Sequence, residues 1–133
     1  MAAILFTVLI SLLALFQFAL VLGAPLGGYA WGGQHAGRLP ARHRIGSAVS
    51  IVLYLLFALV VLDRAGLLDV FPEGFSAGAI WAVLAILALS TIANIASRSK
   101  KERIVMSPIA ALLALLALVV ALSPQAVPGS SLG

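Results

Sequence analysis

The sequence predicts an all-α integral membrane protein: a bundle of four transmembrane helices with both termini outside the cytoplasm. Of the 133 residues, 63% are hydrophobic and 9% are charged, and the mean hydropathy is +1.20. Soluble domains have about 25% charged residues, so this chain has too few polar side chains to cover a water-facing surface. The apolar residues also form four long runs, and the basic residues cluster in two of the three connections between those runs.

Each apolar run is long enough to cross a bilayer as a helix. About 20 residues span a hydrocarbon core roughly 30 Å thick, and the usual range is about 17–25 residues. A barrel strand would instead alternate over about ten residues. We predict one membrane domain, residues 1–122, followed by a flexible outer tail, residues 123–133. Its helices are predicted at 2–22, 46–62, 77–97 and 104–122, and none of these runs contains Asp, Glu, Lys or Arg.

The first run is predicted to be a retained helix. It has no Lys or Arg before its apolar stretch, and that stretch is longer than the core of a typical signal peptide.

The basic residues predict the orientation of the helices. The second connection has one of them, Arg64. The other seven lie in the first and third connections: Arg38, Arg42, Arg44, Arg98, Lys100, Lys101 and Arg103. Cytoplasmic loops carry the excess of Lys and Arg in membrane proteins. We therefore expect a plasma (inner) membrane protein whose loop 23–45 is cytoplasmic and whose N and C termini are extracytoplasmic.

Charge and composition also exclude several kinds of chemistry. The net charge of +4 comes from basic residues that flank apolar runs, a pattern typical of membrane topology and unlike a nucleic-acid-binding face. The chain has no cysteine, which excludes thiolate catalysis and thiolate metal sites. His35 and His43 are eight residues apart without an acidic or thiol partner in the loop, so we expect no metal and no cofactor.

Polar side chains within the runs lie towards the predicted cytoplasmic ends and share helix faces. They are Gln17 on the first helix, Ser47, Ser50 and Tyr54 on the second, and Ser90, Asn94 and Ser97 on the third. Polar groups in hydrocarbon need partners, so these faces are expected to point into the bundle. Two interpretations stay open: interhelical hydrogen bonds that fix the packing, and a polar pocket open to the cytoplasmic leaflet. Gln17 and Asn94 each have a full amide to satisfy and are the leading pocket residues.

A stripe of small residues on the fourth helix also has two interpretations. Ala110, Ala114, Ala117 and Ala121 lie on one side of that helix. Small residues allow helices to approach closely in membranes, within one chain or between copies. The stripe therefore predicts either an internal seam or a homo-oligomer face.

The loop 23–45 is unusually rich in glycine and long for a connection between adjacent helices, and such loops are often functional. One interpretation is a binding loop that caps the inner pocket and holds an anionic lipid headgroup through backbone N–H groups and basic side chains. The other is a flexible connector whose arginines only set the topology. The candidate binding residues of this region are Gly27, Gly28, Trp31, Gly32, Gly33, Gln34, His35, Arg42 and Arg44.

The segment GAPLGGYAWGGQH, followed by LP and by RIGSAVS at residues 44–50, resembles a group of small four-helix membrane proteins from bacteria. The likeness covers the end of the first helix, the loop and the second helix, which is under half of the chain. It implies a bacterial plasma-membrane protein with a meaningful loop, and it supplies no activity, ligand or catalytic residue.

Three functions are consistent with these residues. The leading hypothesis is a non-catalytic binding or accessory component that recognises lipid headgroups, especially anionic ones, or a partner membrane protein at the cytoplasmic face. The alternative is a small oligomeric transporter or channel without proton or cation coupling, because no carboxylate lies in the apolar runs. The least favoured is a lipid-active enzyme at the cytoplasmic face that uses His35 or Tyr54, since neither has an acidic partner in the pattern.

Overall fold

The computed structural model describes residues 1–30 and 37–124. It contains four α-helices and one 3-10 turn, Gly27–Tyr29. The helices are α1 (Ala2–Val21), α2 (Ala41–Arg64), α3 (Phe75–Ile95) and α4 (Lys100–Leu122). All four are long and apolar enough to span a membrane, so the predicted all-helical, multi-pass architecture is confirmed at that level. The predicted site residues Trp31, Gly32, Gly33, Gln34 and His35 lie outside the described residues, as does the tail beyond residue 124.

Two helices begin at least four residues earlier than the apolar runs indicate. α2 begins at Ala41 rather than residue 46, directly after Pro40. α4 begins at Lys100 rather than residue 104, because the Ser99 side chain accepts a hydrogen bond from the Glu102 N–H and so caps the first turn. The added turns are polar and lie past the apolar stretch: the 24 residues of α2 extend about 36 Å at 1.5 Å each, against a core of roughly 30 Å. Arg42 and Arg44 therefore belong to a helix and not to the loop.

The helices run alternately up and down. α1 packs mainly on α2 and α3 mainly on α4, and contacts of α1 with α4 and of α2 with α3 close the bundle. The end of the bundle that holds residues 22–40 and 96–99 is called the loop end. The opposite end, which holds Met1, residues 65–74 and Ser123, is called the terminal end.

The half of the bundle nearer the terminal end has an apolar core. Phe6, Ile10, Val61, Ile80 and Leu113 are its largest fully buried apolar side chains, one or more from each helix. The alanine stripe of α4 contributes to the same interior: Ala110, Ala117 and Ala121 are buried and Ala114 is half-buried. The stripe is therefore an internal seam of the bundle.

Arginine side chains bind the backbone at three helix ends. The Arg44 Nε and Nη2 donate to the Val21 carbonyl at 2.9 and 2.6 Å. The Arg64 Nη2 donates to the carbonyls of Ala121 and Ser123 at 3.2 and 2.8 Å. The Arg103 Nη1 donates to the Ser97 carbonyl, just beyond α3, at 2.9 Å. The final carbonyls of a helix lack intrahelical donors and carry partial negative charge, so these cations stabilise the helix ends.

Gly23 ends α1 in a conformation that favours glycine. Its φ is +92°, its N–H donates to the Leu20 carbonyl, and the Ala24 N–H donates to the Ala19 carbonyl, which together form a Schellman motif. The Gly23→Ala substitution is expected to lower the free energy of unfolding by about 1–2 kcal/mol, because a left-handed conformation costs an L-residue that much. Thermal unfolding in detergent measures the loss.

The matched control for this substitution is Gly78→Ala. Gly78 lies inside α3, and a Cβ added there meets no atom within 4 Å. Alanine is favoured over glycine in a helix by about 0.5–1 kcal/mol, so this control is expected to raise the midpoint slightly. Equal midpoints for the two variants would show that the strain at Gly23 is absent.

Candidate functional site

A cavity of about 150 Å³ lies in the half of the bundle nearer the loop end. All four helices and the loop after α1 contribute to its wall. Leu87 and Leu113 belong both to this wall and to the apolar core, so the core separates the cavity from the terminal end. The polar residues of the wall are Gln17, Tyr29, Ser50, Tyr54, Ser90, Asn94 and Glu102.

Three of the predicted site residues meet in this cavity. Gln17 of α1, Tyr54 of α2 and Asn94 of α3 all line it. The Gln17 amide and the Tyr54 hydroxyl are close enough to interact. The Gln17 Oε1 is buried and has no hydrogen-bond partner within the described part of the chain. The helical spacing that predicted a shared polar face therefore brings these amides and the phenol to one cavity.

Two hydroxyls near the cavity, those of Ser50 and Thr91, are satisfied within their own helices. The Ser50 Oγ donates to the Gly46 carbonyl at 3.1 Å, and the Thr91 Oγ1 donates to the Leu87 carbonyl at 2.8 Å. Each bond lies within one helix. These two hydroxyls therefore do not join helices, in contrast to the interhelical bonding that the sequence made the simplest interpretation for such residues.

The described part of the loop closes the cavity at the loop end. Gly27 and Gly28 are buried in the 3-10 turn, and the Gly27 N–H donates to the Gly37 carbonyl at 2.9 Å across the loop. The Ser99 hydroxyl donates to the Gly28 carbonyl, which fastens the turn to the start of α4. Tyr29 and the following residue then lie in the cavity wall.

Glu102 is the cavity residue that the sequence prediction missed. It is 8% exposed, and its Oε2 accepts a hydrogen bond from the Ser97 hydroxyl at 3.2 Å. It lies outside the fourth apolar run, so its carboxylate was not counted among the membrane residues. One signal could have found it: Ser99 and Glu102 have the S-x-x-E spacing of a capping box, which predicts that α4 starts at Lys100 and carries Glu102 in its first turn.

The two arginines predicted to hold an anionic group lie elsewhere. The Arg44 guanidinium donates to the Val21 carbonyl and so joins the start of α2 to the end of α1. Arg42 is exposed on the first turn of α2. Neither residue belongs to the described cavity wall. The arrangement therefore separates a basic outer surface from an inner cavity that contains a carboxylate.

Other basic groups at the loop end also have partners. The Lys101 Nζ lies 5.6 Å from the centre of the Tyr29 ring, over its face. The Arg103 guanidinium is directed to the Ser97 carbonyl. These contacts place positive charge around the mouth of the cavity and direct it to acceptors other than Glu102.

No protein-family model, curated protein or solved structure matches this chain. Function is therefore inferred from the chemistry of the cavity and the loop.

Proposed function

We propose that this chain is a non-catalytic binding protein of the bacterial plasma membrane that holds the polar headgroup of a membrane lipid in the loop-end cavity. The observation that carries the proposal is the convergence of Gln17, Tyr54, Asn94 and Glu102 on one cavity beside an apolar core. A buried polar group without a partner costs free energy in a membrane. The unpartnered Gln17 Oε1 is therefore best explained by a bound group.

The basic residues support a cytoplasmic location for this cavity. Arg38, Arg42, Arg98 and Lys100 are exposed at the loop end, where the positive-inside rule places the cytoplasm. The cavity would then meet the inner leaflet at the depth of its headgroups. The exposed arginines would contact phosphates at the surface, which retains the predicted attraction for anionic lipid outside the cavity.

The apolar core favours binding over passage. A channel through this bundle would have to open past Leu87 and Leu113, which close the inner side of the cavity and belong to the packed core. Close-packed side chains of this kind leave no wet path. A small oligomeric transporter is accordingly the second hypothesis.

Within residues 1–30 and 37–124, the arrangement also lacks the parts of a hydrolytic site. A serine nucleophile needs a base within hydrogen-bond reach, whereas the Ser50 hydroxyl donates to the Gly46 carbonyl of its own helix. The Tyr54 hydroxyl lies close to the neutral amide of Gln17. We therefore propose recognition without covalent chemistry.

Removing the cavity amides is expected to reduce lipid retention. Gln17→Leu and Asn94→Leu keep the approximate size of the side chain and remove its hydrogen-bonding groups. Native mass spectrometry of protein purified in mild detergent is expected to show a several-fold lower fraction with bound lipid for each variant. Each lost hydrogen bond to a buried group contributes about 1 kcal/mol, and 1.4 kcal/mol is tenfold in affinity.

The control for these variants is Ser11→Ala on α1. Ser11 is exposed, and its hydroxyl donates to the Thr7 carbonyl of the same helix, away from the cavity. It is expected to retain lipid like the unmodified protein. If the unmodified protein carries no lipid, or if all three variants retain it equally, the proposed function is wrong.

A further inference from the structure

We infer that the group bound in the loop-end cavity is a primary ammonium, with the Glu102 carboxylate as its charge partner. The inference rests on the proposed function, since it names the chemical class of the ligand for the same cavity. Two sources carry this group: the headgroup of an ethanolamine lipid and a free alkylamine.

Two hydrogen-bond acceptors in the cavity wall are available to a cationic donor, the Glu102 carboxylate and the Gln17 Oε1. An ionised glutamate side chain accepts hydrogen bonds and donates none, and the Glu102 side chain is 8% exposed. The buried Gln17 Oε1 is a second acceptor, without a partner among residues 1–30 and 37–124. An ammonium group is the complement of such a site, because it has three N–H donors, a positive charge and no acceptor.

The neighbouring cations bind other acceptors and leave this carboxylate for a ligand. The Arg103 Nη1 donates to the Ser97 carbonyl at 2.9 Å, although Arg103 follows Glu102 directly. The Lys101 Nζ lies over the Tyr29 ring, 5.6 Å from its centre. The described contact of the Glu102 side chain is instead the neutral Ser97 hydroxyl. A buried carboxylate is costly without a cationic partner, and a bound ammonium supplies one.

Two other headgroup chemistries fit less well. A phosphate inside the cavity would lie beside the Glu102 carboxylate, and like charges at short range repel. A quaternary ammonium has no N–H group and so cannot donate a hydrogen bond to the Glu102 carboxylate or to the Gln17 Oε1.

The size of the cavity agrees with a small amine. Its volume of about 150 Å³ is well above the roughly 10–15 Å³ that a cavity needs to hold one water molecule, so there is room for a two-carbon amine. In an ethanolamine lipid the phosphate would then lie at the mouth, near the exposed cations Arg98 and Lys100. The zwitterion would thus find its ammonium partner inside and its phosphate partners at the surface.

Glu102→Gln tests the charge without removing the helix cap. Glutamine serves at the third position of a capping box as glutamate does, so the first turn of α4 is expected to form. The measurement is native mass spectrometry after exchange into an equimolar mixture of phosphatidylethanolamine, phosphatidylcholine and phosphatidylglycerol. The unmodified protein is expected to retain phosphatidylethanolamine about tenfold over phosphatidylcholine, the ratio given by one charge-assisted hydrogen-bonded pair.

The expected effect of Glu102→Gln is loss of that preference, to a ratio near one. Glu73→Gln is the matched control, because Glu73 is an exposed carboxylate at the terminal end and its removal is expected to leave the ratio unchanged. Glu102→Asp keeps the charge and is expected to keep most of the preference. If Glu102→Gln does not fold, two other variants test the inference. Gln17→Leu is then expected to lose the preference for phosphatidylethanolamine over phosphatidylcholine, and Glu102→Asp is expected to keep it.

Competition with ethylamine distinguishes the two sources of the ammonium group. Displacement of phosphatidylethanolamine by millimolar ethylamine would identify the amine alone as sufficient, and resistance would identify the whole lipid headgroup. The inference would be overturned if the protein retained phosphatidylcholine or phosphatidylglycerol in preference to phosphatidylethanolamine, or if Glu102→Gln left the ratio unchanged. The proposed lipid binding would stand in either case. Absence of any bound lipid would overturn the proposed function itself.

Discussion

A cysteine introduced at Glu73 is expected to react with a membrane-impermeant maleimide in intact cells, whereas one at Gly37 reacts only after the membrane is permeabilised. The chain has no native cysteine, so each label reports one position. Both positions are exposed, Glu73 at the terminal end and Gly37 at the loop end. A Cβ at Gly37 meets no atom within 4 Å. The expected contrast is all or none, because a multi-pass bundle presents each end to one side of the membrane.

This labelling contrast is expected because exposed basic residues lie at the loop end and not at the terminal end of the described bundle. The structure increases that difference between the two ends. Arg64, the one basic residue beyond the first and third connections, is 9% exposed and binds the end of α4. The terminal end therefore has no exposed Lys or Arg among the described residues. If Gly37→Cys is labelled in intact cells and Glu73→Cys is not, the orientation is the opposite of the one predicted. Equal labelling of both variants would indicate dual topology.

The Arg64→Met substitution is expected to reduce the free energy of unfolding by about 3 kcal/mol, since one hydrogen bond to a charged group contributes about 1.5–3 kcal/mol and two are lost. Methionine keeps an apolar stem of similar length but cannot donate to the carbonyls of Ala121 and Ser123. Those carbonyls would lose their donor, and α2 and α4 would lose their bond at the terminal end. Unfolding of the protein in mixed detergent micelles with increasing sodium dodecyl sulfate measures the change.

Arg98→Met provides the comparison, because Arg98 is exposed and surface substitutions usually change stability by less than about 0.5 kcal/mol. Arg64→Lys should give an intermediate value, since an ammonium keeps the charge but loses the planar guanidinium geometry. Coincident unfolding curves for Arg64→Met and Arg98→Met would show that the contacts of Arg64 contribute no stability.

The apolar runs were sufficient to predict four helices because a membrane span needs about 20 apolar residues. They were not sufficient to predict where α2 and α4 begin. Beyond the hydrocarbon core, a helix continues through charged residues such as Arg42 and Lys100, and hydropathy no longer marks its end. Local signals decide there, namely Pro40 before α2 and the Ser99 cap before α4.

The sequence was sufficient to predict those cavity residues whose positions follow from helical spacing. Gln17, Tyr54 and Asn94 share a depth and an inward direction, which follow from their positions in long helices. Glu102 depends on where α4 starts and on how the loop folds beneath it, and the bond of Arg44 to Val21 depends on the packing of two helices. The start of α4 can be read from the spacing of Ser99 and Glu102, but the folding of the loop and the packing of α1 on α2 cannot be read from neighbouring residues.

The Ser99 hydroxyl occupies a position where two structures meet. It accepts the Glu102 N–H and donates to the Gly28 carbonyl, so one oxygen serves both the first turn of α4 and the turn that closes the cavity. Displacing the loop removes one of these bonds and loosens the other, which makes loop closure and carboxylate placement energetically coupled. By linkage, a group bound to Glu102 as proposed above would also stabilise the attachment of this turn to α4.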